Sequence, residues 1–390
     1  MVRRAHDIYR HVWSFENLVR AERAAARGKR GRPDVAAFEY YLEDELVRLQ
    51  EELSSHTYEP GQYQRHIVRE PKQRVIAAAP YRDRVVHHAL CRVIEPLFER
   101  QFIADSFASR LGKGTHAAVD RCSQFARRFR YVLRCDIVQF FPSVNHDVLR
   151  DRLARVIGDT DVLCLCDRIL EGGIDQAAQE LTKPPRSNGG AAGDLTLFRS
   201  HAFEHDNVPG STMSCGLPIG NQTSQFWANV YLDGLDQFVK RELRCRGYVR
   251  YVDDFVLFSD DKRTLHQWKQ AIIRYLASVH LALHERESTV FPVRSGIPFL
   301  GFRVFPDHRR LRRRNVVAFA HQHRRSGLAY ACGDLSFEKL TARVQGWVAH
   351  AAHGDTYLLR QSLLSLPIGA PVCRTWTPQP GRFELSCAWE

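Results

Sequence analysis

Apolar residues along this chain recur in two rhythms, one near three and a half residues and one of two, and their succession lays out the elements. Val35, Phe38, Leu42, Leu46, Leu49 and Leu53 line one face of a helix, with Asp34 placed as its N-cap. A helix over 83–99 carries a broad stripe of Val85, Val86, Ala89, Leu90, Val93, Ile94, Leu97 and Phe98. Another opens at Thr115 with Phe125 and Phe129 in the core, and a further one spans 146–157. Gln222 to Leu243 turns Phe226, Val230, Leu235 and Phe238 inward, and 264–283 does so with Leu265, Trp268, Ile272, Leu276 and Val279. A last helical pattern runs through Leu340, Val344, Trp347, Val348 and Ala351. Between these, Tyr131–Asp136, Tyr248–Val252 and Phe255–Phe258 read as strands, and 62–80 alternates as a hairpin around Glu70–Gln73. Phe299–Phe305 reads as one more strand. Residues 172–213 are turn-rich and long for a connection inside a domain, and the tail from Leu366, with several prolines, is irregular.

The strands at Tyr248–Val252 and Phe255–Phe258 flank a tight turn that carries Asp253 and Asp254. Two adjacent carboxylates at such a tip repel each other unless a cation holds them. A polymerase wants that arrangement, with carboxylates on rigid strands gripping two divalent ions. Asp is also a common turn residue, so the pair alone leaves an ordinary hairpin open. A third carboxylate, Asp136, ends the β-rich run from Tyr131 and is followed by the aromatic pair Phe140-Phe141 and by Pro142. It precedes the Asp-Asp turn by a little over a hundred residues.

In order and content these residues resemble the palm of reverse transcriptases. Asp136 looks like the family's motif A metal ligand, and Asp253 and Asp254 like the motif C pair. Arg74-Val-Ile-Ala-Ala-Ala-Pro80 through Leu90 resembles the fingers hairpin and the helix after it. Phe107 to His116 looks like the next block. Gly216-Leu-Pro-Ile219-Gly220-Asn221-Gln-Thr-Ser224-Gln225 looks like motif B, and Phe299-Leu-Gly301-Phe302 like the primer grip. The resemblance covers roughly residues 60 to 360. It implies an α+β right-hand polymerase with fingers, a palm built on an antiparallel sheet, and a helical thumb. Residues 1–130 would hold the N-terminal region and fingers, 131–305 the palm with 172–213 as an insertion, 306–366 the thumb, and 367–390 the tail.

The same resemblance implies a site. Asp136, Asp253 and Asp254 would be catalytic, and together with Ile137 they would form the metal set for two Mg2+ ions, with Mn2+ a possible substitute. Arg74 and Arg82 fall where the family's basic residues fold over the incoming triphosphate, while Arg84 begins the next helix and serves structure. Phe141 would lie under the nucleotide sugar and exclude a 2′-hydroxyl, against simple packing on Phe140. Ile219, with Gly220 beside it, stands where most members carry glutamine. The pattern Ile-Gly-x-x-x-Ser-Gln resembles the enzymes of diversity-generating retroelements and related bacterial, group II intron-like and phage-defence types. An aliphatic chain there loosens base discrimination. Partners would be an RNA template, an RNA or DNA primer and dNTPs, with a structured non-coding RNA and a small basic accessory protein as further candidates.

Composition agrees with a polyanionic partner. The 390 residues carry a net charge of +12 and a pI near 9.4. Only eight of the 56 basic residues are lysine, a bias that suits phosphate forks or a GC-rich genome equally. Lys113, in Gly112-Lys113-Gly114-Thr115-His116, fails the GxxxxGK[ST] phosphate-loop pattern but stands at a glycine loop opening a helix. Arg312, Arg313 and Arg314 end a basic run suited to a template–primer backbone or to plain solvation. The ten cysteines are scattered without CxxC, which argues against a zinc module or disulfide framework. There is no apolar stretch behind the N-terminal arginines and no run long enough for a membrane span, so a cytoplasmic protein with no membrane partner is expected. Other classes stay open: a degenerate polymerase fold that only binds structured RNA, or a template-independent polymerase.

Overall fold

The computed structural model describes residues 4–68, 74–173 and 214–365. The chain divides into two compact units, Met1–Ala118 with Tyr131–Val290, and Val119–Arg130 with Phe291–Glu390.

In the first unit the helix Tyr81–Glu99 is central because its apolar stripe is broad enough to meet two neighbours. Val85, Val86, Ala89, Leu90, Ile94 and Phe98 are all buried, against the helices Phe15–Ala26 and Gln222–Gln237. Phe98 meets Phe226 edge-on, with ring centres 5.4 Å apart. The stretch read as one helix from Asp34 is two, Pro33–Tyr40 and Leu42–Ser54. Asp34 is not the cap, because Pro33 occupies the first helical position, where its missing N–H is no loss, and Arg32 precedes it. The break falls at Tyr41, whose backbone leaves helical geometry. The 264–283 helix is Lys262–Ala277, capped by Asp261 and stopped before His280, whose φ is +56°. Val279 is buried, but beyond its end.

Two sheets occupy this unit. Strands β1 (Gln64–Val68) and β2 (Arg74–Ala78) pair antiparallel as the expected hairpin, whose tip at 69–73 lies outside the described residues. The larger sheet contains β3 (Tyr131–Cys135), β4 (Gly247–Tyr251) and β5 (Asp254–Ser259), with β5 central and antiparallel to both. A fourth strand, β6 (Thr289–Pro292), stands at its β3 edge, and the chain leaves the unit within it. Opposed residues of an antiparallel pair share a face. One face therefore sends Leu133, Cys135, Tyr248, Phe255 and Leu257 into the hydrophobic core. The other carries Arg134, Val249, Val256 and Phe258.

The second unit has its own antiparallel sheet, β7 (Ile297–Phe299), β8 (Phe302–Val304) and β9 (Arg309–Leu311). The single strand expected over Phe299–Phe305 is thus a hairpin. Leu300 and Gly301 both have positive φ, +45° and +88°, and fold the chain back between Phe299 and Phe302. Helices Arg313–Ala331, Phe337–Ala351 and Tyr357–Leu364 follow. Phe319 stacks on Trp347 at 3.8 Å between the first two. The insertion expected at 172–213 lies outside the described residues from 174 onward, as does the tail from 366. All eight cysteines among the described residues are free thiols.

Candidate active site

Strand register brings the carboxylates together. Cys135 pairs with Phe255, so Asp136, one residue on, stands across from Asp254 at the start of β5. Tyr251 pairs with Asp254, which leaves Val252 and Asp253 as the turn. Asp136 is tied down by its backbone: its N–H donates to Ser288 Oγ at 3.4 Å, and its carbonyl accepts from the His284 N–H at 2.8 Å. Arg134 shares the carboxylate face and donates from Nη2 to Asp254 Oδ1 at 3.1 Å. Burial raises the Asp136 carboxyl above the usual range, the Asp254 charge raises it further, and Arg134 pulls the other way.

The donors fit a hard divalent cation in kind, since all are carboxylate oxygens and one already feels the charge of another. Among the described residues, however, no three acidic, histidine or cysteine side chains converge as a preformed cage. Asp254 faces Arg134 instead. The Ile137 side chain is buried in the core, so only its carbonyl oxygen could join a metal set.

Behind the turn, on the core face, lies a residue that pattern reasoning missed. Arg250 is fully buried and all five of its guanidinium N–H groups have acceptors. Nε and Nη2 fork onto Asp236 Oδ1 and Oδ2 at 2.8 and 2.7 Å. Nη2 also donates to Ser106 Oγ at 3.0 Å, and Nη1 to Asn229 Oδ1 and the Val252 carbonyl, both at 3.2 Å. Tyr248 Oη donates to the same Asp236 at 2.8 Å. The signal that could have found Arg250 is its place between Tyr248 and Val252 on the inward positions of an alternating strand.

Residues expected near the nucleotide are linked by backbone. Leu217 N–H donates to the Phe141 carbonyl at 2.8 Å, and Ala77 N–H of β2 to the Ile219 carbonyl at 3.1 Å. Phe141 is half-buried and edge-on to Phe140 at 5.4 Å. Gly220, at φ +119°, is approached by β2 itself, for a Cβ there would meet Ile76 Cγ2 at 2.9 Å. Arg74 is on β2, and its side chain is not among those described. Arg82 is engaged elsewhere, bonded to Glu52 and within 3.9 Å of Glu45. Arg84 serves structure as expected, donating to the Ala79 carbonyl at 2.8 Å. Lys113 closes its own loop, with Nζ on the Ala104 carbonyl at 2.8 Å. In the second unit Arg312, Arg313 and Arg314 form the N-terminal end of the helix Arg313–Ala331.

An antiparallel sheet with carboxylates at the end of one strand and on the adjoining hairpin turn, packed against helices, is the palm of a right-hand polymerase. Residues 68–304 match the family described as "Reverse transcriptase (RNA-dependent DNA polymerase)", and the chain belongs to that family. Protein YkfC of Escherichia coli is 25% identical over 300 residues, covering 73% of this chain and 77% of that protein. Nuclear intron maturase 1, mitochondrial, of Arabidopsis thaliana is 29% identical over 91 residues, covering 23% of this chain and 13% of the maturase. Among solved structures, apo telomerase from Candida tropicalis aligns at a TM-score of 0.42 and 11% identity, covering 78% of this chain and 61% of that one. Telomerase from Candida albicans, solved with a fragment of telomeric RNA, aligns at 0.40 and 11%, covering 78% and 55%. The chain thus spans less than two thirds of either telomerase. No helix among the described residues is long and apolar enough to cross a membrane.

Proposed function

We propose that the chain extends an RNA or DNA primer on an RNA template with dNTPs, using Asp136 and Asp253 as principal ligands of divalent cations and Asp254 as the third. The observation that carries this is the register that sets Asp136 across from Asp254, with Asp253 at the adjoining turn, inside the matched family region. Two Mg2+ ions bound there, or Mn2+ in their place, would activate the primer hydroxyl and offset charge on the leaving pyrophosphate. This chain's own residues do the rest. The core behind β3 and β5 keeps the carboxylates on rigid strands, and the run from Phe141 through Leu217 to Gly220 offers a wall for sugar and base. Arg74 would face the triphosphate. Arg82 would do so only after leaving Glu52. Lys113 and Arg312–Arg314 would meet nucleic-acid backbone; three arginines gathered at the positive end of a helix favour an anion beside them.

Ile219 supports the finer reading, low-fidelity cDNA synthesis of the diversity-generating kind. Its aliphatic side chain offers the nascent pair no hydrogen bond, so Ile219→Gln should lower misincorporation by about tenfold or more. Phe141→Ala should raise ribonucleotide incorporation without altering base choice. Single-nucleotide incorporation on one RNA template reads both. Synthesis on RNA that needs the template supports the main reading, and synthesis without it points to a terminal transferase. Asp254 already pairs with Arg134, which favours a second reading, structured-RNA binding without synthesis. RNA binding with no extension under any divalent ion would establish that one instead.

A further inference from the structure

Val252 is β-branched and has a φ of +54°, a conformation that such residues rarely adopt and that persists only where the surroundings impose it. What imposes it is visible. The residue is half-buried against the core, and its carbonyl accepts from Arg250 Nη1 at 3.2 Å. The guanidinium is itself immobilised. It forks onto Asp236 at the end of the helix Gln222–Gln237, and touches Asn229 of the same helix and Ser106 of the loop before residue 107. That loop adds a backbone bridge to the outer side of β4, through Arg250 N–H to the Asp105 carbonyl and Phe107 N–H to the Arg250 carbonyl, each at 3.0 Å. The turn that carries Asp253 is therefore held from behind by one side chain anchored to two other elements.

A buried ion pair is a poor choice if stability were its only task. Desolvation of two charges consumes most of their attraction, and an apolar pair of similar volume does as well or better. A planar fork with every donor used fixes geometry instead.

We propose that Arg250 is a positioning residue for the carboxylate site, setting the Val252–Asp253 turn through the Val252 carbonyl and thereby the site's affinity for divalent cations. This rests on the metal-binding reading of Asp136 and Asp253. Arg250 touches neither substrate nor ion. Its effect runs through the backbone of the turn.

The test titrates the full chain with Mn2+ alone, without primer or nucleotide, and follows free Mn2+ by electron paramagnetic resonance. Three variants are compared with the unaltered chain. R250M/D236L replaces the pair by apolar side chains of similar size. Arg250→Lys keeps the charge against Asp236 but loses the fork. Tyr248→Phe removes a hydrogen bond to the same Asp236 without touching the turn. Each is checked for folding by circular dichroism and its thermal midpoint. We expect the two Arg250 variants, folded, to bind Mn2+ about ten- to a hundredfold more weakly, the range for residues that orient metal ligands. Tyr248→Phe should lose stability and keep its affinity. In primer extension the Mg2+ half-saturation point should move with the Mn2+ affinity, while KM for dNTP stays near its starting value. Unchanged Mn2+ affinity in either folded Arg250 variant would overturn the proposal and leave the metal reading intact. An unaltered chain that binds no Mn2+ would overturn both.

Discussion

Two hairpin turns of two residues each solve the same geometric problem in opposite ways. The β7–β8 turn uses Leu300 and Gly301, both at positive φ, with glycine at the more extreme position, +88°. Its remaining polar group is served locally, the Gly301 carbonyl accepting from Arg312 N–H at 3.0 Å and Asn315 Nδ2 at 3.3 Å. The β4–β5 turn has no glycine. It places a β-branched residue at φ +54° and follows it with two carboxylates. Strain of that kind costs about 1–3 kcal/mol, and like charges side by side add to it. A turn that only reverses the chain takes the residue that reverses it at least cost. A turn that must present charge at a fixed place is held by its surroundings, here a buried arginine behind and the β3 strand end beside it.

The largest effect that could break this comparison is on chemistry. Asp253→Ala and Asp136→Ala should each reduce primer extension by about a thousandfold or more, since the charge stabilisation that bound metals supply is worth several kcal/mol. RNA binding should be retained in both. Leu300→Ala, the matching truncation in the other hairpin, lies in the segment that resembles the primer grip, so it should weaken primer binding while leaving the extension rate at saturating primer close to its starting value. If all three fell together, the carboxylate turn would have no special standing, and loss of the fold would be the simpler account.

Next in size is the cost of the backbone itself, where the two turns should respond with opposite sign. Gly301→Ala puts a Cβ at positive φ and 2.9 Å from Asn315 Nδ2, so stability should fall by about 1–2 kcal/mol, with extension at saturating primer little changed. Val252→Gly removes the strained Cβ. Stability should hold or rise by up to about 1 kcal/mol, while extension slows about ten- to a hundredfold as Asp253 loses its fixed position. Urea unfolding midpoints and extension rates on the same preparations check both halves. A Val252→Gly chain as active as the original would show that the strain does not serve the site.

Most of the carboxylate turn could be read from the sequence, because its signals are local. Alternating apolar residues on both sides of Asp253-Asp254 specify a hairpin, and Asp136 ends a run of the same character. The helical stripe over 83–99 was legible for the same reason, as every residue that defines it lies within it. What escaped was non-local. Arg250 stands at an inward position of its strand, but its partner Asp236 lies fourteen residues back on a helix, so nothing adjacent shows what a buried arginine there would pair with. Arg82, expected at the triphosphate, is met by Glu52 of the helix Leu42–Ser54, a pairing that no local pattern marks. The joint between β2 and the Ile219 carbonyl links segments far apart in the chain, and no periodicity announces it. Asp34 failed as a cap for a local reason that was available, since Pro33 already occupied the first helical position.

The smallest effect concerns what the plain turn is for. The Gly301 carbonyl anchors the Arg312 N–H, and from there the helix Arg313–Ala331 begins with two more arginines. The positive end of the helix dipole and the arginine charges meet there, and both favour a phosphate. If the run binds nucleic-acid backbone, replacing Arg312, Arg313 and Arg314 by glutamine should flatten the dependence of log K on log salt. The slope should change by roughly 0.7–0.9 for each phosphate that the chain no longer neutralises. Affinity should drop equally for unrelated template–primer sequences, because phosphates carry no base information. Extension at saturating template should be almost unchanged, in contrast to every substitution proposed at the other turn. Fluorescence anisotropy across a salt series on one template–primer duplex measures the slope. An unaltered slope would mean that the arginines are solvated surface, and the bond from Arg312 N–H to the Gly301 carbonyl would then serve the hairpin alone.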